Sequence, residues 1–260
     1  MSGLSVALVG TGNVAWHLSK ALNKASIHVS TIVSRDKDRA EKFIKSQNIQ
    51  ADAADYEKTV DSDIVFFCIS DKALESSIKK LKTGKGALLV HTSGSHDLSI
   101  FQNAISRNVG VFYPFQTFTK EKDVEFKNVP IFLEARNEMY LSRLKSIART
   151  LSNKVQILSS SSRLKLHLAG IFANNFTNLV LWEADKMLQS IDLHKETIEP
   201  LVLETVRKAF RIGPANGQTG PAARGDLEII EKHQEFLHGT SQADLYQVLS
   251  NQIIANIGKK

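Results

Sequence analysis

The run Gly10-Thr11-Gly12-Asn13-Val14-Ala15 limits what this chain can fold into more than any other six residues. Before it, Ser5–Val9 is a short apolar, β-favouring run suited to a strand buried on both faces. Behind it, Val14, Leu18 and Leu22 recur at helical spacing. The pattern is strand, glycine turn and helix, with G-x-G-x-x-G/A at the join. Gly10 permits the tight turn, Gly12 lets a pyrophosphate approach the backbone, and Ala15 lets helix and strand pack closely. The free N–H groups and positive end of the helix then face the phosphates. Gly10, Thr11, Gly12, Asn13 and Val14 are therefore the first candidate dinucleotide-binding residues. An ordinary βα turn that uses glycines only for shape is the competing reading.

Downstream, β-favouring and helical segments alternate. Apolar runs at 27–33, 64–69, 87–90 and 110–112 predict strands, with helices starting near Asp38 and after Ser70-Asp71. Two more β segments, 129–133 and 155–158, flank a helix over 137–151. This alternation predicts an α/β protein with a doubly wound, mostly parallel sheet. From Ser160 onward no strand is expected. A long helix over 163–189 is apolar on most of its surface, so it should be buried nearly all round. The other helices, over 196–212, from an Asp226 cap to about Leu237, and behind Ser241 and Asp244, are too few to wrap it. A partner subunit is expected to help. The Ser159–Ser162 tract suits a linker, which divides the chain into 1–158 and 159–260.

Composition removes several function classes. With 42% hydrophobic and 23% charged residues the chain is globular rather than disordered. No apolar run approaches the roughly 20 residues of a membrane span, and no signal peptide is readable. The single cysteine, Cys68, lies in a buried-strand pattern, which fits a small core residue in a reducing, cytoplasmic compartment. It leaves no internal disulfide and no thiolate metal site. The net charge of +6 is spread along helix faces without a nucleic-acid motif. A solvated surface that helps attract an anionic cofactor is the better account.

The end of the second strand sets the cofactor type. NAD sites place a carboxylate there for the ribose 2′-hydroxyl, and NADP sites use small or basic residues for the 2′-phosphate. Here the strand ends Ser34-Arg35-Asp36, so Ser34 and Arg35 favour NADP, with Asp36 one residue too late to oppose it. Ligands in open α/β sheets lie beyond the carboxyl ends of strands. That rule adds Ser70, Asp71, Ser93, Gly94 and the stretch 113–118, with His91 divided between a structural and a site role. In the helical part, His167 and either Asn174 or Asn175 can share one helix face. Arg224 offers a cation for an anionic group, and Asp226 fits a helix cap.

GTGNVA, HTSG, YPFQTF, HLAGIFANNF and TGPAARGD together resemble an uncharacterised family of Rossmann proteins labelled NADP oxidoreductases, with a helical C-terminal domain of unknown function. More distantly the architecture is similar to 6-phosphogluconate dehydrogenase, β-hydroxyacid dehydrogenases and pyrroline-5-carboxylate reductase. The resemblance implies a 6-phosphogluconate-dehydrogenase-like helical domain that forms a homodimer, and a small substrate in the interdomain cleft. One departure matters. β-Hydroxyacid dehydrogenases carry a lysine four residues before an asparagine on the long helix, where this chain has Ile171 or Gly170. His167 is the residue left to carry a proton. The expected function is hydride transfer between NADP(H) and a small substrate. His167, Asn175 and Ser93 would be catalytic, and Ser93, Gly94, Asn174 and Arg224 would hold the substrate. A non-catalytic NADP(H) sensor and an imine reductase are the alternatives.

Overall fold

The computed structural model describes residues 3–104 and 106–257. Its centre is an eight-stranded sheet: β1 (Ser5–Val9), β2 (His28–Val33), β3 (Asp52–Ala54), β4 (Ile64–Phe67), β5 (Leu88–His91), β6 (Val109–Pro114), β7 (Ile131–Ala135) and β8 (Val155–Ile157). The order is β3-β2-β1-β4-β5-β6-β7-β8. Every neighbouring pair is parallel except β6 and β7, which run antiparallel. Strand order reverses between the parallel neighbours β1 and β4, the switch point beside which such sheets open a ligand crevice.

Alternation along the strands supplies two cores. Val6 and Leu8 of β1 join Ile64 and Phe66 of β4 on one face, while Ala7, Val9, Val65 and Phe67 occupy the other. Helices α1 (Asn13–Lys24) and α4 (Glu138–Leu151) cover the first face through Leu18, Leu22, Leu144 and Ile147. Helix α3 (Asp71–Lys80) covers the second through Leu74 and Ile78. Helix α2 (Lys37–Gln47) is capped by Asp36, whose Oδ1 accepts from the Asp38 N–H at 3.0 Å. Cys68, just beyond β4, donates its N–H to the Val9 carbonyl at 2.8 Å and is buried, which pushes its thiol up to about 12.

After β8 the chain is helical: α5 (Ser160–Gly170), a π-helical segment Ile171–Phe176, α6 (Thr177–Gln189), α7 (Glu199–Ile212), α8 (Pro214–Gly217), α9 (Pro221–Arg224), α10 (Leu227–Leu237) and α11 (Ala243–Ile257). One compact unit ends at Asn174 and a second begins at Asn175. Several sequence expectations need correction. The single helix over 163–189 starts at Ser160 and is broken by the π segment, whose wider turn shifts the face presented by later residues. The serine tract is the first turn of α5, with Ser159 as its cap, rather than a linker. Three-residue β3 escaped prediction, and the loop 213–225 contains two short helices. The long helix is not buried in this chain, since Phe172, Phe176 and Trp182 are all exposed. Among the described residues no helix is long and apolar enough to cross a membrane, and no cluster of His, Cys, Asp or Glu could hold a metal ion.

Candidate functional site

The glycine turn opens onto a groove of about 790 Å³ at the carboxyl ends of β1, β2 and β4. Gly10 adopts φ +114°, and a Cβ there would stand 2.7 Å from Ile69 Cγ2, so a side chain cannot be accommodated. A Cβ on Gly12 would meet nothing within 4 Å, which leaves that backbone open toward the groove. Gly12 precedes α1 without any side-chain cap, so the first-turn N–H groups remain available to an anion. Asn13 turns its side chain away, donating from Nδ2 to the Phe118 carbonyl at 2.7 Å. Only its backbone is left for a phosphate.

The groove collects Gly10, Thr11, Gly12, Asn13, Val14, Ser34, Arg35 and Ser70, while Asp71 lies beside it as the first residue of α3. Arg35 is exposed and makes no ion pair among the described residues. Asp36, its neighbour, is occupied as the cap of α2. Sequence reasoning missed Arg39, Tyr56 and Lys72, which line the same groove. Arg39 was detectable: it lies four residues after Arg35, one turn into the helix that follows. Lys72 lies second in α3, a position that reads from sequence as plain surface.

The second group of candidates gathers at the ends of β5 and β6. His91 is the last residue of β5 rather than a residue beyond it. It is fully buried, stacked on Phe101 with ring centroids 5.6 Å apart, and accepts from the Ser93 N–H at 3.2 Å. Burial and the Arg163 charge push its imidazole down to about 3, so it is neutral. The Ser93 hydroxyl oxygen accepts from the Ser95 and His96 N–H groups at 3.0 and 3.1 Å, which closes the loop after β5.

His167 stands over this loop. Its Nδ1 lies 3.0 Å from the Tyr113 hydroxyl, and the two rings meet edge to face at 71°. Gly94 makes the approach possible: a Cβ there would be 2.7 Å from His167 Nδ1 and 2.8 Å from Tyr113 Cζ. Burial, and then the Asp71 charge, push the Tyr113 phenol up to about 12. The imidazole is held in place from one turn earlier. Arg163, with 1% of its surface exposed, pairs through Nη1 with Glu134 of β7 and donates from Nη2 to the His96 carbonyl. Neither Arg163 nor Tyr113 stood among the sequence candidates by itself, because their partners lie 29 and 54 positions away.

Asn174 ends the first compact unit, and Asn175 and Arg224 belong to the second. Both asparagines are exposed and sit in the π segment. Asp226 does not cap α10 through its side chain. Its carboxylate instead takes Arg224, Nε to Oδ2 at 2.9 Å.

Comparison with known proteins gives the same outline. Residues 5–94 match the model described as NADP oxidoreductase coenzyme F420-dependent, and residues 129–253 match a domain of unknown function, DUF2520. The crystal structure titled "putative NADP oxidoreductase" from Bacteroides fragilis is 32% identical, with a TM-score of 0.85 over 97% of this chain and 98% of that one. The reductive aminase of Aspergillus terreus, solved with NADPH and ethyl levulinate, shares the fold at 12% identity and TM-score 0.70, over 98% and 94% of the chains. Pyrroline-5-carboxylate reductase of Streptococcus pyogenes does so at 10% identity and TM-score 0.62, over 99% of both. No curated protein matches the chain.

Proposed function

We propose a function that proceeds from one premise: the chain belongs to the two-domain family that joins an NADP oxidoreductase domain, of the type described as coenzyme F420-dependent, to a DUF2520 domain. It is an NADP(H)-dependent oxidoreductase that transfers a hydride between nicotinamide and a small substrate. The observation that carries this reading is the pair of cations, Arg35 and Arg39, left without ion pairs among the described residues beside Ser34 at the groove.

Gly10, Thr11, Gly12, Asn13 and Val14 hold the pyrophosphate through backbone N–H groups at the head of α1. Ser34 and Arg35, joined by Arg39, hold the 2′-phosphate, where a guanidinium makes charge-assisted bonds. Ser70 and Asp71 flank the nicotinamide ribose. The nucleotide, when bound, supplies the hydride chemistry, and the chain supplies orientation and proton handling. Ser93, Gly94, His167, Asn174, Asn175 and Arg224 serve the substrate, with His167 as the proton-carrying group. Residues 1–158 form the nucleotide-binding domain. Residues 159–260 form the substrate and dimerisation domain, and its exposed apolar helices are the surface of a homodimer.

An imine is the second substrate reading. It is favoured by Gly170 and Ile171 standing where hydroxyacid dehydrogenases keep their lysine, because a protonated imine asks less of a protein-borne acid. The test of the cofactor reading is thermal unfolding with NADPH, NADH or neither. NADPH at 100 times its dissociation constant adds about 2.7 kcal/mol to stability. Arg35→Ala should weaken NADPH by about tenfold or more and leave NADH nearly unchanged, since a hydrogen bond to a charged group contributes roughly 1.5–3 kcal/mol. No shift with either nucleotide would leave the glycine turn purely structural.

A further inference from the structure

We propose that Tyr113 is the proton donor of this site and that His167 decides when it can donate. The inference rests on the reading of the groove as an NADP(H) site and adds to it a residue and a direction of proton flow.

The geometry carries it. The Tyr113 hydroxyl and His167 Nδ1 are 3.0 Å apart, and one hydrogen lies between them. When the imidazole is neutral with its hydrogen on Nε2, Nδ1 accepts the phenol's only hydrogen, and the phenol has none to offer elsewhere. When both ring nitrogens carry hydrogen, Nδ1–H donates to the phenol oxygen, and the O–H is free to point at a ligand. The same contact therefore has a silent and an armed state, and a second proton on the ring removes the silent one. Gly94 is shaped for this contact, since a Cβ there would displace both rings. Arg163 fixes the first turn of α5 to Glu134 and the His96 carbonyl, which keeps His167 over Tyr113.

The charged groups acting on the phenol are Asp71, from the head of α3, and Arg163, one turn before His167 and itself answered by Glu134. Asp71, whose charge reaches the phenol, adjoins Ser70 of the groove. Burial and the Asp71 charge keep the phenol protonated at neutral pH.

In the reductive direction the substrate carbon gains a C–H bond, with hydrogen and electron pair both coming from the reduced nicotinamide, which is oxidised. The π pair of the C=O or C=N bond moves to the heteroatom. The Tyr113 O–H breaks and its proton joins that heteroatom. The phenolate oxygen takes the Nδ1 proton of the His167 imidazolium, and the neutral ring recovers a proton from water. Oxidation reverses each transfer and needs the ring neutral at the start. Reduction should thus fall, and oxidation rise, as the imidazole loses its second proton.

The experiment uses the full chain with NADP⁺ and NADPH as probes, because they differ by the positive charge on the nicotinamide ring. Calorimetry in two buffers of different ionisation enthalpy counts protons released on binding. With the imidazole doubly protonated, NADP⁺ should release up to about one proton more per site than NADPH, and His167→Gln should abolish the difference. In parallel, phenolate absorbance should show one tyrosine ionising at lower pH with NADP⁺ than with NADPH. Tyr113→Phe should remove that step, whereas Tyr246→Phe, on α11, should leave both the step and NADPH affinity unchanged. A merely structural hydrogen bond would not respond to the charge of the nicotinamide. Equal proton counts for two bound nucleotides, or a tyrosine step that survives Tyr113→Phe, overturns the proposal. Failure of both nucleotides to bind the unmodified protein overturns the cofactor reading as well and is seen separately, as absent binding.

Discussion

In the sheet unit Val6, Leu8, Ile64 and Phe66 are completely buried, whereas Phe210 and Phe236 of the helical unit are 90% and 82% exposed. Both regions have apolar sequences, and only the first closes a core from its own residues. Strands present alternate residues to two faces, and helices returning over each face satisfy both at once. The helical unit has amphipathic elements but no central layer, and among its described apolar side chains only Ile230 and Leu237 are buried. Apolar pattern shows that burial is required without saying who provides it. The homodimer proposed above is the provider this contrast calls for.

The comparison breaks most sharply under one substitution made in both regions. Phe66→Ala should cost about 3–5 kcal/mol of unfolding free energy, as core phenylalanine truncations do. Phe210→Ala should leave dilute-chain stability within about 0.5 kcal/mol while weakening association measured by sedimentation. Equal losses in denaturant melts would mean that the helical unit has a closed core after all.

The next largest effect tests how far sheet-like closure extends into helical sequence. Glu134→Leu leaves the Arg163 guanidinium buried without its partner and should cost about 3 kcal/mol or more. Replacing both residues by apolar ones should recover much of that loss in the same melts. A negligible effect of the single change would show that water reaches the guanidinium.

His91 gives the sheet unit a pH signature. Its folded value, about 3, lies below the usual histidine value, so below about 6.5 the unfolded chain binds a proton that the folded chain refuses. Stability should fall as pH falls, by about 2 kcal/mol between pH 6.5 and 5. His91→Gln should flatten that slope in melts followed across this range, and an unchanged slope would place the lost proton elsewhere.

The smallest effect compares two helix starts. Asp36→Ala removes a formed cap and should cost about 1 kcal/mol. Asp226→Ala removes only an exposed partner of Arg224 and should cost less than about 0.5 kcal/mol by denaturation.

What could be read from the sequence follows the range of each interaction. The β1–turn–α1 unit was legible because its determinants lie within about twenty residues and act locally. Gly213, the stop of α7, acts over the same short range. Strand β3 was not, since three residues beginning with an aspartate carry no periodicity and gain order only from β2 beside them. The π segment was not, because a change in backbone hydrogen-bond register leaves no mark on residue type. At the site, the glycine turn and Arg35 announced themselves. Arg163 looked like a surface charge on a new helix until Glu134 supplied its partner, and Tyr113 was one residue of an aromatic stretch until the fold set His167 against it.

The lone cysteine carries a consequence of a different kind. Cys68 is buried beside β1 with its thiol held almost wholly protonated at neutral pH, so a thiol reagent reacts slowly with it in the folded protein. The rate of alkylation then becomes a clock for opening around the carboxyl ends of β1 and β4, the groove included. Since the helical region holds no thiol, that clock is deaf to its fraying.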